Sequence, residues 1–291
     1  MEMTGGKGSA VMRRLIGEAA ASLAAAGIED PRLDAELLMA EAAGVTRAAV
    51  LAGLATVDDH ARVRYAAMIR RRAAREPVAY IVGHKEFYSI ELEVNRAVLI
   101  PRPETETVVA AALELIAGRA NCRVLDLATG SGAIAIAIVA HAPGARVIAT
   151  DVSAAALETA GRNAIRFGLA PRIELCRADC FEPMDGGPPL LRFDLIVSNP
   201  PYISEADLAG LQPEVIRYEP RIALAGGADG LDFYRRIARK ADRYLAPGGA
   251  LMVEIGAGQA AAVAALMRAA GFSEVGTIED LAGVTRVVRA S

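Results

Sequence analysis

"VLDLATGSGAIAIA", residues 124–137, runs from an apolar stretch through small residues into a stretch of alternating alanine and isoleucine. A short apolar run closed by small residues and glycine reads as a buried strand, and the pattern beyond it reads as a helix. A turn of this kind brings backbone N–H groups and a helix N-terminus close to a ligand. Gly130 and Gly132 let the backbone approach with no Cβ in the way. Outward from this stretch the alternation repeats. Strands are expected at 123–127, 146–150, 172–176, 193–198, 250–255, 274–278 and 285–289, and helices at 132–141, 154–167, 231–245 and 259–270. That order makes an α/β fold: a doubly wound, mostly parallel sheet covered by helices on both faces. Only a short loop joins the last two strands, which permits a hairpin and so an antiparallel edge strand.

Asp151 ends the second of these strands, 19 residues beyond Gly132. An acid at that point accepts hydrogen bonds from ribose hydroxyls in folds of this class, so the loop and the acid together indicate a nucleoside-bearing cofactor. The spacing Gly130-x-Gly132-x-x-Ala135 also fits a dinucleotide fingerprint, and the loop alone does not choose between NAD and another nucleoside. Asp151 could instead cap the helix that begins at Ala154, a role open to Ser153 as well. Asp126, inside the first strand's end, is expected to order the loop by accepting its backbone N–H groups. "RADCFEP", residues 177–183, follows the third strand beside this loop. Asp179, Cys180 and Phe181 are candidates to meet a base there, against a plain strand-end turn with Phe181 in the core.

The fourth strand stops in "SNPPYIS", residues 198–204. Proline has no backbone N–H and cannot continue a central strand. In an open parallel sheet ligands bind beyond the carboxyl ends of the strands, so Asn199 is expected beside the cofactor. Pro200 and Pro201 stiffen the turn. The Asn199 side-chain oxygen and the Pro200 carbonyl then form two fixed acceptors, suited to a planar –NH₂ group with two hydrogens. Tyr202 offers a flat face for stacking on such a target. The chemistry is orientation with preorganised polarity, without a general base in the motif.

Residues 1–10 read as a loose tail and residues 11–76 as helices only, with Asp30, Pro31 and Asp58 or Asp59 as starts and Gly27 and Pro77 as stops. The domains expected are a helical N-terminal domain over 1–85, a β-hairpin linker over 86–100, with 87–94 pairing 98–100, and an α/β domain over 101–291. Arg62, Arg64, Arg70, Arg71, Arg72 and Arg75 read first as a solvated helix face and second as a patch for an acidic partner. "PRPETE", residues 101–106, reads either as a cover for the site's mouth or as a stiff linker, and Glu254 and Gln259 read as structural. The chain is 53% hydrophobic and 23% charged with a formal net charge of −3, which argues against wholesale nucleic-acid binding. Cys122, Cys176 and Cys180 read as reduced thiols in a cytoplasmic protein, with no metal-ligand spacing. No uncharged run reaches the length that a membrane helix needs.

On "YIVGHKEFYSIELEV", "LIPRPETE", "DLATGSGAIAIA", "SNPPYIS", "YEPRIALAGGADGLDFYRRI" and "GGALMVEIGAGQ", the chain resembles class I S-adenosylmethionine-dependent methyltransferases. More narrowly it resembles the PrmC/HemK family, which methylates the glutamine side-chain amide of peptide chain release factors. The resemblance covers nearly the whole length and is weakest over the N-terminal helices. It implies a seven-stranded Rossmann-like methyltransferase sheet and a helical N-terminal domain that helps to bind the release factor. It implies S-adenosylmethionine at Ala128, Thr129, Gly130, Ser131, Gly132, Asp151, Cys180 and Asn199, and the acceptor glutamine of a Gly-Gly-Gln motif at Asn199, Pro200, Pro201 and Tyr202. Two positions depart from the family. Ala128 replaces glycine, which is tolerated only if φ is not positive there. Cys180 replaces an aromatic, for which Phe181 could compensate. No DNA partner is expected. The competing readings are an amino methyltransferase acting on adenine or cytosine, a non-catalytic partner-binding protein that keeps a cofactor fold, and an NAD oxidoreductase, which leaves the Asn-Pro-Pro-Tyr turn without a role.

Overall fold

The structure is a computed structural model that describes residues 5–182 and 191–291. The chain divides into two units. One comprises the described part of residues 1–83 together with Pro213–Tyr218; the other comprises His84–Gln212 and Glu219–Ser291.

The first unit is helical: α1 (Gly5–Ala25), α2 (Pro31–Ala43), α3 (Arg47–Leu51), α4 (Asp59–Ala73), α5 (Val78–Val82) and, from far along the chain, α10 (Pro213–Tyr218). Thr46 and Asp58 cap α3 and α4 by accepting from the Ala49 and Ala61 amides. Asp30 stands at the N-cap of α2 but makes no capping bond, so Pro31 at the first helical position is the start signal that acts. Of the tail expected over residues 1–10, residues 1–4 lie outside the described residues, and α1 already begins at Gly5. Pro77 ends the helical run as expected, but the one-turn helix α5 follows it. Met12, Ile16, Leu23, Leu38, Met39, Tyr65 and Ile81 form the core.

The arginines expected to form a solvated face do so only in part: Arg62, Arg70 and Arg71 are exposed, Arg64 and Arg75 are half-buried, and Arg72 is buried. Arg72 is buried and donates through Nε to Asp34 at 2.7 Å and through Nη1 to Glu214 at 2.9 Å. Arg75 Nη2 donates to the other Glu214 oxygen at 2.7 Å, and Arg71 forks onto Glu76 at 2.8 and 3.0 Å. Successive helical residues point about 100° apart, so the neighbours Arg71 and Arg72 reach different acids, Glu76 for the first and Asp34 with Glu214 for the second. Glu214 comes from α10, about 140 residues away, where helix periodicity cannot reveal it.

The second unit opens with a hairpin, β1 (His84–Phe87) and β2 (Ile90–Glu93). Its turn is Tyr88-Ser89, with φ of 48° and 61°. The two positive φ angles match the twist of a two-residue hairpin, although neither residue is the glycine or asparagine that announces one. The expected strand over 87–94 is therefore split by the turn, and 98–100 is not its partner. Then follow α6 (Glu106–Ile116), β3 (Cys122–Leu127), α7 (Ala133–His141), β4 (Ala145–Asp151), α8 (Ala154–Arg166), β5 (Ile173–Arg177), β6 (Phe193–Ser198), α9 (Glu205–Leu208), α11 (Asp232–Tyr244), β7 (Leu245–Glu254), α12 (Ala260–Ala269), β8 (Val275–Glu279) and β9 (Thr285–Ala290).

The seven-stranded sheet has the order β5-β4-β3-β6-β7-β9-β8. Strands β3 to β7 pair in parallel, and β9 runs antiparallel between β7 and β8 at that edge of the sheet. One core, with Val108, Val109, Ala112, Ile134 and Ile138, packs α6 and α7 on one face. A second, with Tyr234, Ile237, Ala241, Val263 and Met267, packs α11 and α12 on the other. Burial on both faces explains why the strands are continuously apolar. Asn163 of α8 ties the hairpin to the sheet: Oδ1 accepts from Glu93 N at 2.7 Å, and Nδ2 donates to Glu93 O and Ser131 O, each at 3.0 Å. Among the described residues no helix is long and apolar enough to cross a membrane.

In the helical unit, Glu214→Ala leaves Arg75 without its acid and Arg72 with Asp34 alone. Breaking one side of a buried ion pair costs about 3 kcal/mol. The variant should show a lowered urea midpoint and faster protease cleavage within residues 5–83. Wild-type values would remove the clamp from the account of that unit's stability.

Candidate active site

Strands β3 and β6 pair with Leu127 opposite Ser198, and Ser198 Oγ donates to the Leu127 carbonyl at 2.8 Å. The residues that follow, Ala128 and Asn199, therefore emerge at one rim of the sheet. Strand β4 delivers Asp151 there and β5 delivers Ala178–Cys180. A cleft opens at this rim. Its walls are Ala97–Leu99, Ala128, Gly130, Asp151–Ser153, Asp179, Cys180, Asn199, Pro200 and Pro201, with Phe233 and Ile237 of α11 and with Ile222 and Ala223. Val98 and Leu99, expected in a hairpin strand over 98–100, line the cleft instead, next to Ala97.

The glycine loop is held from below by two carboxylates. Asp151 Oδ2 accepts from Gly130 N and Oδ1 from Ser153 N, each at 2.9 Å. Ser153, not Asp151, caps α8, by accepting from Ala156 N at 3.2 Å. Burial raises the Asp151 carboxyl above its ordinary range, against the hydrogen bonds from Ser153 and Gly130 that lower it. Asp126 is fully buried; Thr129 Oγ1 donates to its Oδ2 at 2.6 Å, and Oδ1 has no partner. Burial pushes this carboxyl up to about 7. Asp126 thus orders the loop chiefly through a threonine hydroxyl.

Thr129, Ser131 and Gly132 do not face the cleft. Gly132 has φ of 81°, and a Cβ on it would stand 3.0 Å from Ile136 Cδ1 and 3.2 Å from Ala160 Cβ. It is glycine because α7 and α8 close on it. Ala128, where glycine was expected, has φ of 58°, and Cys180, on the opposite wall, has φ of 56°. Two non-glycine residues in the left-handed region thus flank one cleft, which marks stored strain at a site. Burial pushes the Cys180 thiol up to about 11, so it is neutral. Phe181 is fully buried and stacks on Tyr244, centroids 4.8 Å apart. It belongs to the core and cannot compensate for the missing aromatic at 180. Pro183 lies outside the described residues.

Asn199 faces the cleft with its side chain anchored at one end: Nδ2 donates to Thr105 Oγ1 at 3.0 Å. Its Oδ1 remains as an acceptor. Pro200 and Pro201 are buried in the wall beside it. Tyr202 is not part of the wall. It packs against the second core, its carbonyl accepts from Gln259 Nε2 at 3.0 Å, and burial pushes its phenol up to about 12. Gly226 N donates to Ile203 O at 2.8 Å, and a Cβ on Gly226 would stand 2.8 Å from Tyr202 Cα. Glycine there lets the chain close behind the turn.

Of two further residues of this neighbourhood, Thr105 was not singled out in the sequence and Glu254 was read there as structural. Thr105, in a threonine-rich helix start, looks like a cap but caps nothing. Glu254, at the end of β7, is 2% exposed, and its Oε2 has no partner. Burial pushes its carboxyl up to about 7, although the charges of Arg286 and Arg102 pull the other way. A lone glutamate after an apolar run was the available signal. The cleft as built offers the Asp151 carboxylate, an apolar wall of Val152, Ala156, Phe233 and Ile237, and Asn199 with Pro200 at its edge. That donor and acceptor set fits a nucleoside bearing a reactive group toward Asn199.

Ala128→Gly should relieve the left-handed alanine at the cost of a looser unfolded chain, a net stabilisation of roughly 0.5–1 kcal/mol. A urea midpoint raised by that amount is expected. A lowered one would mean that the alanine methyl contributes more by packing than its backbone loses.

Comparison with known proteins places the chain. The PrmC N-terminal domain profile matches residues 14–83, and a methyltransferase domain profile matches residues 119–276. The chain is 46% identical over 277 residues to the release factor glutamine methyltransferase of Moorella thermoacetica, covering 94% of this chain and 96% of that one. It is 43% identical over 293 residues to that of Agrobacterium fabrum, covering 98% and 99%. Among solved structures, the hMettl16 catalytic domain in complex with a MAT2A 3′UTR hairpin aligns with a TM-score of 0.57 at 17% identity, over 81% of this chain and 82% of that one. This last likeness concerns the fold alone. From end to end, the chain belongs to the release factor glutamine methyltransferase family, and it is a methyltransferase.

Proposed function

We propose that the protein transfers a methyl group from S-adenosylmethionine to the side-chain amide nitrogen of the glutamine in the Gly-Gly-Gln motif of peptide chain release factors. One observation carries the reading. With one Nδ2 hydrogen donated to Thr105, Asn199 keeps its Oδ1 as an acceptor beside a cleft that it lines together with Gly130 and Asp151. An amide –NH₂ brings two donors and a lone pair delocalised into its carbonyl. Asn199 Oδ1 and the Pro200 carbonyl accept both hydrogens, hold the group in place, and return electron density to the nitrogen. When bound, S-adenosylmethionine supplies a methyl carbon on a sulfonium, open to in-line attack. The Asp151 carboxylate would hold the ribose, and Ala128, Gly130 and Cys180 would border the nucleoside. The nitrogen's pair would form the new N–C bond as the carbon–sulfur bond breaks, S-adenosylhomocysteine would leave, and the proton would pass from the nitrogen to water afterwards, so the chain needs orienting acceptors more than a strong base. Tyr202, packed away from the cleft wall, secures the turn and does not stack in this state.

The test is transfer of labelled methyl from S-adenosylmethionine, offered release factor and, in parallel, DNA. Label on the Gly-Gly-Gln glutamine, located by mass spectrometry, is expected; label on DNA alone, or on neither, overturns the reading. Asn199→Ala should lower kcat on the order of 100-fold, as for loss of a preorganised polar group at a reacting centre, with cofactor Kd changed little. Asp151→Ala should weaken cofactor binding about tenfold or more. An unchanged Kd would end the ribose assignment.

A further inference from the structure

We propose that Gln259 is a positioning residue for methyl transfer: its side-chain amide grips the far end of the Asn-Pro-Pro turn and so keeps Asn199 Oδ1 and the Pro200 carbonyl aimed at the substrate. The effect on catalysis rests on the function proposed above; the grip on the turn does not.

The turn is hard to hold from within. Pro200 and Pro201 have no N–H to donate, so a neighbour can hydrogen-bond their backbone only by donating to a carbonyl. The near end leaves β6 in the register that Ser198 locks, and Asn199 Nδ2 donates to Thr105. The far end is Tyr202, whose carbonyl accepts from Gln259 Nε2 at 3.0 Å. The same nitrogen donates to Gly230 O at 3.4 Å, and Gln259 Oε1 accepts from Gly256 N at 2.9 Å. One planar amide thus joins three segments: the turn after β6, the loop before α11, and the link between β7 and α12. An N–H on one side and two carbonyls on the other decide which end of the amide is which.

Gln259 stands at the N-cap of α12, a place that serine, threonine, asparagine or aspartate fills better, and its side chain makes no capping bond. It reaches away from its own helix instead. The backbone around it leaves room for the amide. A Cβ on Gly256 would stand 3.0 Å from Gln259 Oε1 and 3.0 Å from Tyr202 Cδ2. A Cβ on Gly230 would stand 2.8 Å from Gln259 Nε2 and would overlap the Tyr202 carbonyl oxygen. Gln259 lies behind the turn, outside the lining of the cleft, so it can act on a substrate only through the turn. Between the two anchors the proline rings fix two φ angles. With both ends pinned, Asn199 Oδ1 and the Pro200 carbonyl keep their directions before substrate arrives, which is what orienting acceptors require. Releasing Tyr202 lets both swing.

Two variants of the full-length protein separate the grip from mere bulk. Gln259→Met keeps the length of the side chain and removes both polar ends. Gln259→Glu, ionised at about pH 8, keeps the acceptor for Gly256 N and loses the donor to Tyr202 O. Each should lower kcat on release factor on the order of tenfold, as for reacting groups held less firmly, with cofactor Kd and release-factor KM nearly unchanged. In an Asn199→Ala background most of that loss should vanish, because the group that Gln259 aims is gone; a general loss of stability would persist there in full. The grip is also read without substrate. The chain has four asparagines, so selective ¹⁵N-asparagine labelling, with Asn199→Ala for assignment, isolates the Asn199 NH₂ signals. In Gln259→Met these should shift, and their hydrogens should exchange several-fold faster. Wild-type kcat in either variant, an undiminished loss in the Asn199→Ala background, or unchanged Asn199 signals in Gln259→Met overturns the proposal. If the wild type methylates no release factor while the Asn199 signals still depend on Gln259, the functional reading fails and the grip on the turn stands.

Discussion

The pairing of Leu127 with Ser198 in two parallel strands, locked by the Ser198 hydroxyl on the Leu127 carbonyl, is the constraint on which the site depends. Side chains alternate along a strand, so a slip of one residue would turn every side chain to the opposite face. In the observed register, chain segments 71 residues apart end at the same rim. One leaves as the Ala128–Gly132 loop and the other as the Asn199–Pro201 turn. The βαβ connections, with both faces of the sheet buried, leave little freedom in where those ends point.

The rim is built at a cost to stability. Asp126 and Glu254 are buried carboxylates, each with one oxygen unpartnered, and Asp126 accepts from the Thr129 hydroxyl. Both carboxyls sit at about 7, above the ordinary carboxylate range. The native chain therefore holds these protons longer than the unfolded chain does. Their contribution to stability is most favourable at low pH and declines as pH rises from the ordinary carboxylate range through 7. Ala128 and Cys180 add left-handed backbone without glycine's freedom. Violations of local rules gathered at one cleft are what a site selected for something other than stability looks like.

Outside the cleft, charge does structural work. Glu214 secures α10 to Arg72 and Arg75 within the helical unit. Five residues on, Glu219, buried in the α/β unit, accepts from Ile100 N and Arg102. In the basic stretch that invites a reading as a partner surface, Glu214 takes up Arg72 and Arg75, and Arg71 pairs with Glu76. Its exposed remainder is Arg62, beside an exposed Asp59, and other arginines at the surface.

Strand and helix order, the glycine loop, Asp151 and the Asn-Pro-Pro turn were legible in the sequence, because each depends on local chemistry: apolar runs, missing Cβ atoms, missing N–H groups. The family likeness rests on the same residues. The Tyr88-Ser89 turn was hidden because its positive φ angles occur on residues that do not advertise them, and α5 because one helical turn carries too little periodicity. Phe181 and Tyr202 could have faced either a ligand or the core; only packing, against Tyr244 and the second core, decided. The hydrogen bond from Asn199 to Thr105 joins segments 94 residues apart. Residue type limits what each partner can donate or accept, but which hydrogen bonds form follows from where the folded sheet brings the segments together.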